Sequence, residues 1–303
     1  MIITNKYNLP PAIFNACSTV FDLTPDGTFR VSELTSPPQQ YYLKRKHHGE
    51  LVDDASSRLW ALLGTAVHYV TEKHSPDGSL PEEKLSVEFG GRIIKGRADL
   101  IHGEELHDYK ITSVWSYIFG DKPEWETQLN LYAWIANQKG HMITRLIVYA
   151  ILRDWQTSKS HDADYPPIPF AEIEIPMWSR GKVEDWLSKK IYELQTDTPR
   201  PCTPEEMWER PSKFAVMKKG QKKAVKLCDT EWNAEDYIEK EKPFYKTLFI
   251  EPRPGSRTRC ESYCIVKDFC PQYKHFSHHE KLEKEFKNIH HQDIPGESGY
   301  IAK

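Results

Sequence analysis

Between Ser56 and His74, the run SSRLWALLGTAVHYVTEKH places Leu59, Leu62, Leu63, Ala66, Val67 and Val70 three and four residues apart, the spacing of one buried helical face. His68 falls at the edge of that stripe, one turn after Gly64. The period then changes: LSVEF, RIIKG, RADLI and LHDYKI, parted by glycine-containing turns, predict strands. A second helix is predicted through PEWETQLNLYAWIANQKG, with Pro123 suited to a first turn and Gly140 to an end. MITRLIVYAIL and AEIEI read as further strands on either side of the loop DYPPIPF. KVEDWLSKKIYEL reads as a third helix with Val183, Trp186, Leu187, Lys190, Ile191 and Leu194 on one side, Lys190 burying its stem. A shorter helix around Pro37-Pro38 carries Tyr41, Tyr42 and the basic run Lys44, Arg45, Lys46. This order of elements predicts an α/β fold, a mixed sheet flanked by helices.

Beyond DTPRPCTPEE, KFAVMKKGQKKAVKL predicts a hairpin turning near Gly220 and NAEDYIEKE a short helix, together a small inserted ββα-like module. The expected organisation is an N-terminal extension over 1–30 with no assigned chemistry, a core over 31–200, the module over 201–250, a cysteine segment over 251–275 and a polar tail over 276–303. His278, His279, His290 and His291 read as solvated positions of that tail.

At 303 residues, 39% of them hydrophobic, the chain can bury a real core. A mean hydropathy of -0.66, without a long apolar run or an apolar segment behind a basic start, predicts a soluble, cytoplasmic protein with no membrane partner. The net charge of -3 supports no polyanion partner by itself, so any such partner has to be read from local patches.

The chemistry concentrates in GRADLIHGEELHDYK, Gly96 to Lys110. Whether HGEE or its central Gly103-Glu104 makes the turn, Ile101 pairs with Leu106 and His102 with Glu105, and the same register sets Asp99 opposite Asp108. Opposed residues have Cβ atoms about 4.5–5.5 Å apart, where like charges destabilise the pair. A divalent cation such as Mg²⁺ or Mn²⁺ offsets that repulsion. Lys110, two residues after Asp108, projects from the same face about 6.6 Å further along. Two carboxylates and an ammonium on one face can hold a metal, position a water and stabilise charge on a phosphate. Glu88, on the preceding strand, reads as a solvated edge carboxylate.

With GTAVH (Gly64, His68) before these strands and QLNLY (Gln128, Tyr132) after them, the chain resembles the PD-(D/E)XK nuclease superfamily. It is most similar to the RecB-type exonuclease branch, which includes phage exonucleases and CRISPR-adaptation nucleases. The resemblance spans roughly Val31 to Leu194 and the cysteine region, and it implies a restriction-endonuclease-like core. Carried over, it implies His68, Asp99, Asp108 and the Tyr109 carbonyl as metal ligands, Lys110 as the group acting on the attacking water or transition state, and Gln128 and Tyr132 as DNA contacts or braces. Ala98 replaces the proline of the superfamily name, and the second acid is Asp108 rather than glutamate. The implied activity is Mg²⁺- or Mn²⁺-dependent exonucleolytic hydrolysis of linear or single-stranded DNA ends. The implied setting is phage or mobile-element recombination, repair or processing, with a recombination or replication protein as a further partner. Rival readings are an inactive DNA-binding or scaffolding protein of this fold, an endonuclease, and a nuclease trimming CRISPR spacer precursors.

RCESYCIVKDFCPQ supplies Cys260, Cys264 and Cys270, three soft ligands of a site that needs a fourth, for either an iron–sulfur cluster or Zn²⁺. The resemblance favours a [4Fe-4S] cluster, with one cysteine expected before the core; that position reads Ser36-Pro37, so Cys202 is the candidate fourth ligand. Cys17 and Cys228 read as small buried hydrophobes. Lys218, Lys219, Lys222 and Lys223 in the hairpin form one basic patch for phosphates, and Tyr41, Lys44 and Arg45 a second with a ring for stacking.

Overall fold

Arg92–His102 forms one unbroken strand rather than the two expected, and a mixed sheet is organised around it. The computed structural model describes residues 1–20, 22–120, 123–241 and 247–277; the tail histidines His278, His279, His290 and His291 lie outside them. The chain divides into two units, Met1–Arg200 and Pro201–Lys303. The first contains β1 (Ile2–Thr4), α1 (Pro11–Cys17), β2 (Thr28–Arg30), α2 (Val31–Leu34), α3 (Pro38–Lys46), β3 (Val52–Asp54), α4 (Leu59–Lys73), β4 (Leu80–Phe89), β5 (Arg92–His102), β6 (Glu105–Thr112), α5 (Val114–Ile118), α6 (Pro123–Gln138), β7 (Arg145–Leu152), β8 (Phe170–Ile175) and α7 (Arg180–Leu194).

The sheet runs β2-β5-β6-β7-β8, with β4 antiparallel along the other edge of β5. Two strands share one edge of β5. Next to its N-terminal half lies β2, in parallel, from Thr28↔Ile93 to Arg30↔Lys95, whereas β6 pairs antiparallel only with Leu100, Ile101 and His102. β6 then runs parallel to β7 over its whole length, and β7 is antiparallel to β8. Between Gly96 and Asp99 that edge of β5 carries no ladder pair among the described residues, so the sheet forks there.

Across the sheet lies α6, touching every strand from β4 to β8. Its residues Leu129 through Ala136 are all buried, which explains why its sequence is apolar almost all round. Gly96 explains the unbroken β5: it is not a turn, but the place where the Tyr132 ring of α6 meets the strand backbone. On α7, Val183, Leu187, Lys190, Ile191 and Leu194 are buried, the face that the spacing predicts.

Helix α4 departs from expectation. None of its residues is buried, and Leu59, Leu63 and Val70 of the supposed core face are exposed. Periodicity reports that a helix has an apolar side, not that the fold covers it.

The second unit contains β9 (Glu209–Arg210), β10 (Lys213–Lys218), β11 (Lys226–Cys228), α8 (Glu231–Glu241), β12 (Leu248–Arg253) and β13 (Ser256–Arg257). The expected hairpin and helix are β10, β11 and α8, and β12 adds a third strand in the order β11-β10-β12. Val216, Cys228 and Ala234 form its small core, packed by Phe214, Tyr237, Ile238, Leu248 and Ile250. Cys17 and Cys228 are both buried, as small hydrophobes are.

A methyl group at Gly96 would collide with the Tyr132 ring and lie 3.1 Å from Val31 Cγ2. Both neighbours are core side chains with little room to move, so Gly96→Ala is expected to destabilise the protein by about 1–3 kcal/mol. Urea unfolding followed by circular dichroism measures this; a midpoint at or above the wild-type value would show that the ring yields.

Candidate active site

The β5–β6 turn is Gly103-Glu104, with Gly103 at φ 58, a backbone region that glycine enters without steric cost. Ile101↔Leu106 and His102↔Glu105 pair in the expected register. The ladder stops at Leu100↔His107, however, so Asp99 and Asp108 do not form the directly opposed pair that this register extrapolates to. The strands part where the repulsion would fall. Asp99 Oδ2 instead accepts the Tyr109 N–H at 2.8 Å.

Across β5, the position opposite Asp99 belongs to Glu82, which leaves the β4 ladder at φ 52 between Pro81↔Leu100 and Glu83↔Ala98. His68, from α4, reaches into the same space. Its Nδ1 lies 3.4 Å from both Glu82 Oε1 and Asp99 Oδ1, and its Nε2 lies 3.2 Å from the Tyr109 carbonyl oxygen. His68, Glu82 and Asp99 offer ligand atoms within 4.8 Å of one another, among the described residues the one such group of three or more. Both imidazole nitrogens face acceptors, so without another cation the ring holds two protons. The hydrogen bond to Asp99, strengthened by the two carboxylate charges and opposed by burial, pushes its pKa up to about 9. Glu82 Oε2 also accepts from Arg97 Nη1 at 3.0 Å.

Asp108 stands apart from that trio. It is 1% exposed and its Oδ2 forms an ion pair with Lys110 Nζ at 2.6 Å. Burial holds the Asp108 carboxyl above its ordinary range, the Lys110 charge pulls it down, and the Asp99 charge pushes it up again. Lys110 Nζ donates to Gln128 Oε1 at 3.2 Å, and Gln128 Nε2 donates to the Tyr132 hydroxyl at 3.2 Å. Tyr132 is buried, which raises its pKa to about 12 and keeps the phenol neutral.

The structure thus brings His68, Asp99 and the Tyr109 carbonyl together as the sequence expects, but Asp108, expected as a further ligand, is buried against Lys110, and Glu82, which sequence reasoning missed, stands in the cluster. The signal was present: Gly90 and Gly91, at φ 56 and 70, form a two-residue turn, and counting back from Phe89↔Arg92 sets Glu82 opposite Asp99. Glu88 is exposed and opposite Ile93.

The proposed aromatic patch on α3 is corrected. Tyr41 is buried against Phe29, and Arg45 lies over its ring, donates to the Thr24 carbonyl and pairs with Asp26 at 2.7 Å. Its ring offers no open face to a base. Lys44 is half-buried on the same helix. In the second unit, Lys219, Lys222 and Lys223 are exposed around the β10–β11 turn and Lys218 is half-buried at the end of β10.

Also in the second unit, Cys202, Cys260, Cys264 and Cys270 lie within electrostatic reach of one another. Burial, then Glu206 and the three other thiols, push Cys202 up to about 12; burial and the thiols of Cys264 and Cys270 push Cys260 up to about 11. The Gln272 side chain clasps Cys202, accepting from its N–H and donating to its carbonyl, both at 2.9 Å. Tyr273 N–H donates to Cys270 Sγ at 3.4 Å. Among the described residues no helix is long and apolar enough to cross a membrane.

No family model matches the chain, and no curated protein does. Among solved structures, SSO0001 is similar over 65% of this chain and 87% of its own, at 22% identity and a TM-score of 0.44. The alkaline exonuclease LHK-Exo from Laribacter hongkongensis is similar over 56% of this chain and 88% of its own, at 11% identity and a TM-score of 0.39.

The doubly protonated His68 gives a signed pH dependence. Its folded pKa is raised from 6.5 to about 9, so its contribution to stability is complete below pH 6.5 and is lost as pH rises through 9. In EDTA, the melting temperature of the wild type is expected to fall across that interval more than that of His68→Gln. Parallel profiles for the two proteins would remove the proton from this site.

Proposed function

We propose that the protein is a metal-dependent deoxyribonuclease of the RecB-type PD-(D/E)XK kind, acting exonucleolytically on DNA in phage or mobile-element recombination, repair or processing. The observation that carries this reading is the meeting of an imidazole, two carboxylates and a main-chain carbonyl at the fork of the sheet, beside a buried aspartate–lysine pair. The donor set fits a hard divalent cation. Oxygen donors dominate, one neutral imidazole is compatible with Mn²⁺ as well as Mg²⁺, and the two protons on His68 mark where positive charge is wanted.

His68, Glu82, Asp99 and the Tyr109 carbonyl would hold that ion, which supplies Lewis-acid polarisation of a phosphate. The chain's own groups do the rest. Lys110 presents an ammonium whose direction is fixed on one side by Asp108 and on the other by Gln128, so its N–H groups can be aimed at a phosphate oxygen or an attacking water. Asp108 anchors that amine, and Tyr132 keeps Gln128 from turning away. This reading uses Gln128 and Tyr132 as braces rather than as DNA contacts. Lys218, Lys219, Lys222 and Lys223 supply a charge density suited to phosphates.

The cysteines support a bound cluster. Cys202, Cys260, Cys264 and Cys270 bring four soft donors within electrostatic reach of one another, and once a metal displaces their protons the thiolates select soft metals. The resemblance to iron–sulfur nucleases of this type favours a [4Fe-4S] cluster over Zn²⁺ at these four cysteines.

End-labelled linear DNA with Mn²⁺ tests the nuclease reading: wild type cuts, and Asp99→Ala and Lys110→Ala each lose about 10²- to 10⁴-fold in rate. Equal cutting by all three would remove the assigned centre, and binding without cutting by the wild type would leave the scaffold reading. Closed circular DNA should resist; its cleavage would identify an endonuclease. For the cluster, anaerobically purified wild type is expected to be brown with about four irons per chain, and Cys202→Ser to lose the colour. A colourless protein with stoichiometric zinc would replace the iron–sulfur assignment.

A further inference from the structure

At the C-terminal ends of β6 and β7, the first unit displays aromatic rings that its core does not use. Trp60, in the first turn of α4, is 60% exposed, with the Arg153 guanidinium 4.5 Å from its ring centroid. Trp115 and Phe119, at α5, are 47% and 76% exposed, and their rings stack at 5.7 Å with 21° between planes. Lys159 Nζ lies 5.6 Å from the Trp115 centroid. Hydrogen bonds join these pieces. Arg153 N–H donates to the Thr112 carbonyl at 2.9 Å, and Asp154 accepts from the Ser113 hydroxyl at 2.7 Å and from Val114 N–H at 2.6 Å. The Asp154 carboxylate is thereby engaged at the start of α5.

This surface adjoins the metal-binding face. Thr112 is two residues beyond Lys110, about 6.6 Å along the strand. Trp60 precedes His68 by eight residues on α4, about 12 Å. Between them, on the same side of the helix, is Gly64, where an added Cβ would meet nothing within 4 Å. A glycine inside a helix is less stable than alanine, and here no neighbour in the fold requires it. What it provides is a bare stretch of helix running from Trp60 towards His68.

We infer that this surface binds single-stranded DNA, with unpaired bases stacked on Trp60 and on the Trp115–Phe119 pair, phosphates at Arg153 and Lys159, and the strand passing over Gly64 to the metal-binding face. Stacking needs exposed base faces, which a paired duplex interior does not offer, and it tolerates any sequence because every base has such a face. Cations lying against exposed rings, Arg153 exposed and Lys159 half-buried, suit a ligand that alternates flat bases with phosphates. The inference rests on the nuclease reading for its direction but not for its measurement.

Binding is read in EDTA by anisotropy of a labelled oligothymidylate and of a blunt hairpin duplex. Trp60→Ala and Trp115→Ala are each expected to weaken oligothymidylate binding about 5- to 150-fold, the worth of one base–aromatic stack, while duplex binding changes less than about twofold. Both side chains are exposed, and unchanged melting temperatures check that the fold survives. Gly64→Leu is expected to melt no lower than wild type yet to bind oligothymidylate more weakly. Wild-type affinity for oligothymidylate in both tryptophan variants, or equal losses on both DNAs, overturns the inference. Binding through the tryptophans by a wild type that never cuts with Mn²⁺ sinks the nuclease reading and leaves this surface standing; cutting by wild type with normal binding by the variants does the reverse.

Discussion

Two carboxylates, Glu82 and Asp99, meet where the sheet forks while a third, Asp108, is held apart from them, and the first unit is arranged to allow it. Because β2 and β6 share one edge of β5, the strand is left unpaired on that side just where Asp99 sits, and β6 is free to diverge towards β7. Divergence separates Asp99 from Asp108 and gives each a different partner. Asp99 takes a backbone N–H and an imidazole, and Asp108 takes an ammonium. Neither arrangement neutralises Glu82, which shares His68 and the exposed Arg97. Such crowding is unfavourable for a structure on its own, and a buried charge with an imperfect partner costs several kcal/mol, on the order of what one core side chain contributes. The core under α6 has to hold it in place.

Much of this was legible because hairpins are arithmetic. A two-residue turn fixes which residues face each other, and the β5–β6 register followed from Gly103-Glu104. The same count through Gly90-Gly91 leads to Glu82, yet a lone glutamate in PEEK looks like any solvated charge until its partner across the strand is known. Gly96 failed in the other direction. Glycine between two apolar runs reads as a turn, and only the tertiary position of Tyr132 shows that it makes room for a ring. Tyr41 and α4 were misjudged for a related reason. An aromatic beside three basic residues looks exposed but is core, while an apolar helical stripe looks buried but is exposed. Local pattern specifies an element and its faces; which face is covered is decided by distant residues.

The second unit repeats the electrostatic theme with softer atoms. Its cysteines raise one another's pKa just as Asp99 raises that of Asp108, and in both cases burial is the largest cause. Its third strand, β12, escaped the sequence reading because Leu248 and Ile250 are separated from the hairpin by α8 and the strand contains Pro252. Proline is tolerated there because β12 lies at the sheet edge, where a missing N–H breaks no ladder on the open side.

The lysine shows how the core and the site become one problem. Lys110 Nζ is held by Gln128, Gln128 by the Tyr132 hydroxyl, and the Tyr132 ring by the gap that Gly96 leaves in β5. Each link is a polar or steric contact with little slack, and the last of them is the backbone of the strand that carries Asp99. The ammonium and the carboxylate are thus positioned from opposite ends of one chain of contacts, which passes through a buried helix rather than through solvent. Two residues four apart on α6 suffice because one helical turn spans the distance between a strand backbone and the end of a lysine side chain. That is why Gln128 and Tyr132 have to sit on the most deeply buried helix of the unit, and why neither needs to touch a substrate to matter.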